Sequence, residues 1–427
     1  MIVQPHKLGK QYDIVIAGGG MVGGSFALLL MRLLQETSLR VLVLDAAALT
    51  PAEPRDADFD ARSTALSWGS RLIYEQMGLW PKLSEYATAI SDIHVSDRGQ
   101  FGATRLCRDE QDVDALGYVI ENHDLSRVIN EALLTHPALD VCAPAQLTHA
   151  KHVPDGMQLT VLPQRGSMND SVIDEQPITL HTSLLVLADG GRSGLCEQLG
   201  IVMQRRSYQQ QALICNIGFD KSHAGRAFER FTDTGPLAVL PLANDAQGMH
   251  RGALIWTHPE ATAQTFLDLP EDEFLAALQQ RFGFRLGRLN RAGSRAQFPL
   301  SLVWAREQIR PGLVLLGNVA HTLHPVAGQG MNLALRDART LAEQLVATAR
   351  QQPAVSLGSY SVLEQYLDAQ RGDQGRTILF SDLTTRLFSN DQPVLTAGRN
   401  AGLVLMELVT PARRWFGRQA MGMADRR

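Results

Sequence analysis

Residues Tyr12 to Ala17, YDIVIA, run straight into Gly18-Gly19-Gly20-Met21-Val22-Gly23, and this junction limits the possible folds most. An apolar run, a tight glycine turn and then Ala27, Leu30, Met31 and Leu34 at helical spacing predict a buried parallel strand leading into a helix. Glycines spaced in this way let bare backbone and a helix N-terminus approach a pyrophosphate, whose charge the helix dipole favours. A second apolar run, Arg40 to Leu44, ends at Asp45. That is about 20 residues past the last glycine, where an acid can accept from two ribose hydroxyls. GxGxxG alone is a weak signal; strand, helix and acid in register predict a dinucleotide site. The plainer account of Asp45 is a polar residue closing a strand.

Two further stretches share this design. Leu184 to Ala188 is another buried-strand run, and it ends in Asp189-Gly190-Gly191-Arg192-Ser193. That places an acid and a flexible backbone at the carboxyl edge of a sheet, where α/β folds bind ligands. Leu313 to Leu316 leads through His321, His324 and Pro325 to Gly328-Gln329-Gly330. Met331, Leu335, Ala338, Ala342 and Leu345 then follow at helical spacing, with Arg336, Asp337 and Glu343 expected on the opposite, outer face. A glycine-led helix terminus would suit a bound ring that gains negative charge on reduction. An ordinary crossover whose glycines only make the turn would give the same pattern.

A chain of 427 residues is long for one core, so two domains are expected. From Gln211 to about Leu300 the texture becomes strand-like (ALICNIGF, GPLAVLPL, GALIWTH), with one helix, Glu271 to Phe282. Short strands are expected at Ile90 to Ser96 and Ala103 to Cys107, and a helix capped by Asp124 follows. The division expected is a dinucleotide domain in three pieces (1–88, 119–205, 305–350), a substrate domain in two (89–118, 206–304) and a helical region (351–427). The net charge of -4 gives no reason to expect nucleic acid. Cys107, Cys142, Cys196 and Cys215 form no CxxC pair, so neither a metal site nor a disulfide framework is expected. No run is long enough to span a bilayer and no basic-then-apolar signal segment opens the chain, which makes the cytoplasm the expected location.

The strings IAGGGMVGG, DARSTAL, LADGGRS, GPLAVLPL, AHTLHPVAGQGMNLALRDA and RTILFSDLTTRLF resemble the flavoprotein aromatic hydroxylases of the p-hydroxybenzoate hydroxylase fold. Within them the chain resembles the ubiquinone-biosynthesis branch, over nearly all of its length. Asn318 stands where most of that family has Asp. It and the tail RNAGLVLMELVTPARRWFGRQAMG are similar to the 2-polyprenyl-6-methoxyphenol hydroxylases. The resemblance implies an α/β fold: a Rossmann-like FAD-binding domain, an inserted, mostly antiparallel substrate domain and a C-terminal helical region. It implies a monooxygenase in which NAD(P)H reduces FAD, O2 adds to form a flavin hydroperoxide, and a polyprenylated phenol receives one oxygen.

Carried over residue by residue, Gly18, Gly20, Gly23 and Asp45 hold the ADP half of FAD. Arg62 and Arg127 lie where the family places flavin-contacting arginines. Asp189 belongs to a motif tied to FAD and NAD(P)H. Asn318 faces the ribityl chain, and Pro325 with Gly328, Gln329 and Gly330 lies over the flavin ring. His321 and His324 are candidate bases for the phenol, or else they brace the loop. Trp256, Leu240 and Pro241 are substrate-sheet candidates, although an apolar strand residue is more often core.

The tail offers Leu403, Leu405, Leu408, Trp415, Phe416, Met421 and Met423 beside Arg413, Arg414 and Arg418. It can serve peripheral contact with a membrane or with other ubiquinone-biosynthesis proteins, or pack on the FAD domain with its arginines solvated. A nicotinamide dehydrogenase would leave the second and third glycine stretches unexplained. A non-catalytic assembly subunit stays open as a reading, and so does a sister hydroxylase acting on another ring position or another aromatic substrate.

Overall fold

The YDIVIA run is the inner strand Gln11–Ala17 of an eight-stranded sheet. In this computed structural model the described residues are 8–34, 38–49, 59–99, 102–164, 176–233, 235–323, 328–388, 402, 405 and 407–423. His324, Pro325 and Leu403 lie outside them. Gln11–Ala17 pairs in parallel with Ile178–Leu187 on one side and Val41–Leu44 on the other. Leu313–Leu315 and Asp140–Cys142 extend the parallel set outward. Ile14, Ile16, Val43, Leu184, Val186 and Val314 are fully or almost fully buried on one face, beneath the helices Met21–Leu34 and Gln329–Gln351. A sheet covered in this way has apolar residues at nearly every strand position, as these runs do. A hairpin, Ala145–Val153 with Gly156–Pro163, pairs onto Ile178–Leu187.

A second, nine-stranded sheet is built mostly from Met203–Phe219, Arg226–Thr232, Gly235–Leu242, His250–Pro259 and Ala296–Ala305. It is antiparallel except where Arg226–Thr232 pairs in parallel with Asp92–Asp97, which in turn pairs with Ala103–Cys107. The helix Glu271–Phe282 lies where the sequence predicts it, and a further helix, Glu260–Asp268, precedes it after Pro259. His321–Thr322, which follows the parallel strand Leu313–Leu315, reaches across and pairs with Val303 and Trp304. A small third sheet, Ser63–Ser67, Gly117–Glu121 and Thr88–Ile90, links the two parts.

Two local expectations need correction. Asp124 does not cap its helix: Asn122–Thr135 begins two residues earlier, with Glu121 at the cap and Asp124 in the first turn. Asp337 is not on an outer face. The helix Gln329–Gln351 is covered by Met21–Leu34 on one side and Tyr360–Phe388 on another, and Asp337 has no exposed surface. A carboxylate there must be fully paired. It accepts from His321, Gln370 and Gln374.

Candidate active site

At the first glycine turn, glycine is required for two different reasons. Gly18 has φ +107°, and a Cβ on it would sit 2.5 Å from the Ala188 carbonyl oxygen. A Cβ on Gly23 would sit 1.9 Å from the Gly18 oxygen, so this residue allows the helix to close on the strand. At Gly20 a Cβ would meet nothing within 4 Å. That space is open, as a pyrophosphate requires. Asp45 sits at the mouth of the turn, with Oδ2 accepting from Gly19 N at 2.7 Å and Oδ1 from Ala47 N at 2.8 Å.

Arg127 comes from the helix Asn122–Thr135, which packs on Met21–Leu34. It is only 8% exposed, and its Nε and Nη2 make no hydrogen bond, although Asp124 Oδ1 lies 3.7 Å from Nε. A buried guanidinium with unsatisfied N–H groups is costly, and an anionic ligand relieves that cost. The open space at Gly20 and the unsatisfied Arg127 together fit the diphosphate of FAD.

Asp189 is turned into its own loop, accepting from Gly191 N and Ser193 N, both at 2.9 Å. Gly190, Gly191 and Gly194 all have positive φ, so the acid and the glycines set this edge of the sheet together. Its contacts are those of a loop-shaping residue.

Between the nine-stranded sheet and the glycine-led terminus of Gln329–Gln351 lies a cavity of about 600 Å3. That size is within the range of small-molecule sites. Asn318, Gly328, Gly330 and Met331 form the wall at the helix terminus, and Ala238, Leu240, Ala253 and Ile255 the sheet side. A Cβ on Gly330 would meet nothing within 4 Å, so the first turn of this helix is open to the cavity. Arg62 is exposed at the cavity edge with its guanidinium 4.9 Å from the Phe298 ring centroid. The segment before it is anchored by Asn216, which donates to the carbonyls of Phe59 and Ala61, both at 2.7 Å. Gln329 is buried and does not itself line the cavity, with Nε2 3.5 Å from the Ala420 carbonyl oxygen.

One residue that sequence reasoning missed holds the turn together. Asn332 is buried, accepts from Ser67 N and Ser70 Oγ, and donates to the carbonyls of Ala65 and Gly328. All four bonding positions of its amide are used. The only local signal was an Asn one turn inside a helix that starts with glycine.

Of the two candidate bases, His324 lies outside the described residues and only His321 can be placed. His321 is 1% exposed, is absent from the cavity wall, and places Nε2 2.5 Å from Asp337 Oδ2. Its neighbour Thr322 lines the cavity instead. Trp256 is likewise on the far face, buried against Phe266 and Phe274, while Leu240 faces the cavity and Pro241 does not line it. Side chains alternate across a strand, and Trp256 has the wrong parity for the cavity.

In the tail, Arg413 is not solvated. Nε and Nη2 grip the Glu110 carboxylate at 2.8 and 2.6 Å, and Gly69 N donates to the Met421 carbonyl. Met421 is 2% exposed and Phe416 lies 5.4 Å from the Phe380 ring. Leu408 and Trp415 are 76% and 64% exposed. Among the described residues no helix is long and apolar enough to cross a membrane.

Comparison with known proteins agrees with this geometry. The FAD binding domain family matches residues 11–366. A ubiquinone hydroxylase, UbiL, of Rhodospirillum rubrum is 34% identical over 97% of this chain and 90% of its own. The 3-demethoxyubiquinol 3-hydroxylase of Escherichia coli is 29% identical over 96% of this chain and 98% of its own. The crystal structure of p-nitrophenol 4-monooxygenase PnpA from Pseudomonas putida superposes with a TM-score of 0.73 at 19% identity, covering 98% of this chain and 100% of that one, a likeness of fold. The chain therefore belongs to the FAD-binding-domain flavoproteins, in the family of ubiquinone-biosynthesis FAD hydroxylases, and is a flavin-dependent monooxygenase.

Proposed function

We propose that the protein hydroxylates a polyprenylated phenol, 2-polyprenyl-6-methoxyphenol, using NAD(P)H as the reductant. The observation that carries this reading is the mostly apolar cavity shared by the substrate sheet and the open turn at Gly330. Bound FAD supplies reducing equivalents and activates O2. The chain contributes binding, orientation and exclusion of water. Gly20 and Arg127 take the diphosphate, Asp45 the ribose and Asn318 the ribityl chain; Gly328 and Gly330 carry the ring, with Arg62 at its edge. The sheet presents aliphatic side chains to the aromatic ring, which keeps water from the reacting atoms. His321 braces the loop through Asp337, and Gln329 braces the tail.

A sister activity at another ring position of the same substrate class is the second reading, favoured by the E. coli relative's name. Incubation with each candidate prenylphenol, NADPH and O2, followed by product analysis by mass spectrometry and NMR, separates the two. Product from 2-polyprenyl-6-methoxyphenol supports the first reading; product from a later quinol alone supports the second. No oxygenated product from any of them contradicts both.

We infer further that Leu405, Leu408 and Trp415, with Arg414 and Arg418 beside them, form a surface for peripheral contact with an anionic membrane or with other enzymes of the pathway. Their exposure supports this. Replacing Leu408 and Trp415 together by serine tests it, since both leave the Arg413–Glu110 pair alone. Liposome flotation and pathway-protein association that both match the native protein would contradict it.

A further inference from the structure

The nine-stranded sheet packs one face on the helices Glu260–Asp268 and Glu271–Phe282 and turns the other to the cavity. Across the cavity face runs a single row in which each residue pairs with the next on a neighbouring strand. It comprises Ala296, Ile214, Ile255, Ala238 and finally Glu229. All five line the cavity. Beyond Glu229 the row continues to Val95, and Ala227 and Phe231 flank it on the same strand; all three are buried. Glu229 is thus a carboxyl group at the end of an apolar row.

Nothing among the described residues completes that carboxyl. The Glu229 side chain is half-buried and makes no hydrogen bond or ion pair with any of them. Burial pushes its carboxyl up to about 7, with no cation among the described residues opposing the effect. The arginines of the same cavity are engaged elsewhere: Arg62 over the Phe298 ring, and Arg295 donating to the carbonyls of Phe266 and Leu269. The other acid of the wall, Asp60, accepts from Ser294 N and Oγ. An acid held in apolar surroundings without a partner is destabilising unless a ligand supplies the missing hydrogen bond.

Resting on the hydroxylase reading above, we propose that Glu229 is a specificity-determining residue. Its carboxyl takes the hydrogen bond of a hydroxyl on a neutral aromatic ring and turns away rings that carry a carboxylate. Attraction and rejection come from the same group: the favoured ring satisfies the acid, whereas at pH 8 and above, where Glu229 is mostly ionised and the comparison is to be made, an anionic ring places a second negative charge beside it in a low-dielectric cavity.

The test is the affinity of the FAD-loaded protein for two probes that differ in one group, 2-methoxyphenol and 2-methoxybenzoate, read from perturbation of the flavin absorbance. The native protein should bind the phenol at least about tenfold more tightly, the scale of one good hydrogen bond. Glu229→Gln keeps the shape and removes the charge. With flavin content intact it should weaken the phenol by about tenfold and bring the two affinities together. Glu229→Met, which removes both polar atoms, should lose phenol affinity in the same direction and guards against an accidental rescue by the amide. A native preference for the benzoate, or a native ratio retained in Glu229→Gln, would overturn the proposal while leaving the hydroxylase reading in place. A native holoenzyme that binds neither probe and produces no oxygenated prenylphenol would overturn both.

Discussion

At the Gly18–Gly23 turn a Cβ on Gly18 or Gly23 would strike backbone at 2.5 and 1.9 Å, whereas at the Gly328–Gly330 turn the nearest approach is Ala65, 3.2 Å from a Cβ on Gly328. Gly20 in the first turn and Gly330 in the second meet nothing at all. Each turn therefore mixes glycines that let the chain close on itself with one that leaves room for something else. The first turn belongs to a strand–helix contact made by the chain's own backbone. The second is held by side-chain bonds from Asn332, so its shape depends on a polar network. A motif spelled with the same residue thus encodes packing at some positions and binding at others, and only the surroundings separate them.

The largest effect expected is at Gly23. Gly23→Ala must push apart the strand and helix that meet there, and overpacking of this kind costs about 3 kcal/mol. Soluble yield and melting temperature of the flavin-free protein should both fall; an unchanged melting temperature would show that the turn can relax. Gly20→Val should behave oppositely. The protein should fold with a near-native melting temperature in the flavin-free state yet retain no FAD after gel filtration, since the branched side chain fills the open space. Flavin retained at one equivalent would place the diphosphate elsewhere.

His321→Asn breaks a buried pair, and truncating one partner of such a pair typically costs about 3 kcal/mol. A lower melting temperature is expected, with the pH profile of hydroxylation unmoved once the protein is folded. Loss of the low-pH limb of that profile would make His321 a base after all. The smallest effect should come from Asn318→Asp, which changes FAD affinity by no more than about 1.5 kcal/mol, the scale of one hydrogen bond. Equilibrium dialysis of FAD measures it, and a hundredfold loss would contradict the ribityl assignment.

The same contrast explains what could be read from the chain. Tyr12–Ala17, Gly18–Gly23 and Asp45 were legible because strand, turn and acid follow one another within a short span. The helix Gln329–Gln351 was legible from its period, but the burial of Asp337 was not. A second helix, Tyr360–Phe388, covers that side, and its Gln370 and Gln374 lie more than thirty residues away. Ser63–Ser67, Thr88–Ile90 and Gly117–Glu121 are strands of three to five residues whose partners are distant, so local pattern carried almost no signal for their sheet. Glu229 was hidden for a related reason. In RAFERFT an acid between aromatics reads as a solvent-side residue of an alternating strand, and only the closure of the FAD domain over that face makes it a cavity residue.

On the proposed function, one cavity, bounded by the sheet row and the Gly328–Gly330 terminus, is where an aromatic ring meets the flavin. A crystal structure of the protein with FAD and a short-chain 2-prenyl-6-methoxyphenol tests it most directly. The diphosphate is expected at Gly20 and Arg127, the flavin ring at Gly330, and the phenol against Ile255 and Ala238 with its hydroxyl toward Glu229. A phenol bound outside this cavity, or a flavin ring away from Gly330, would contradict it.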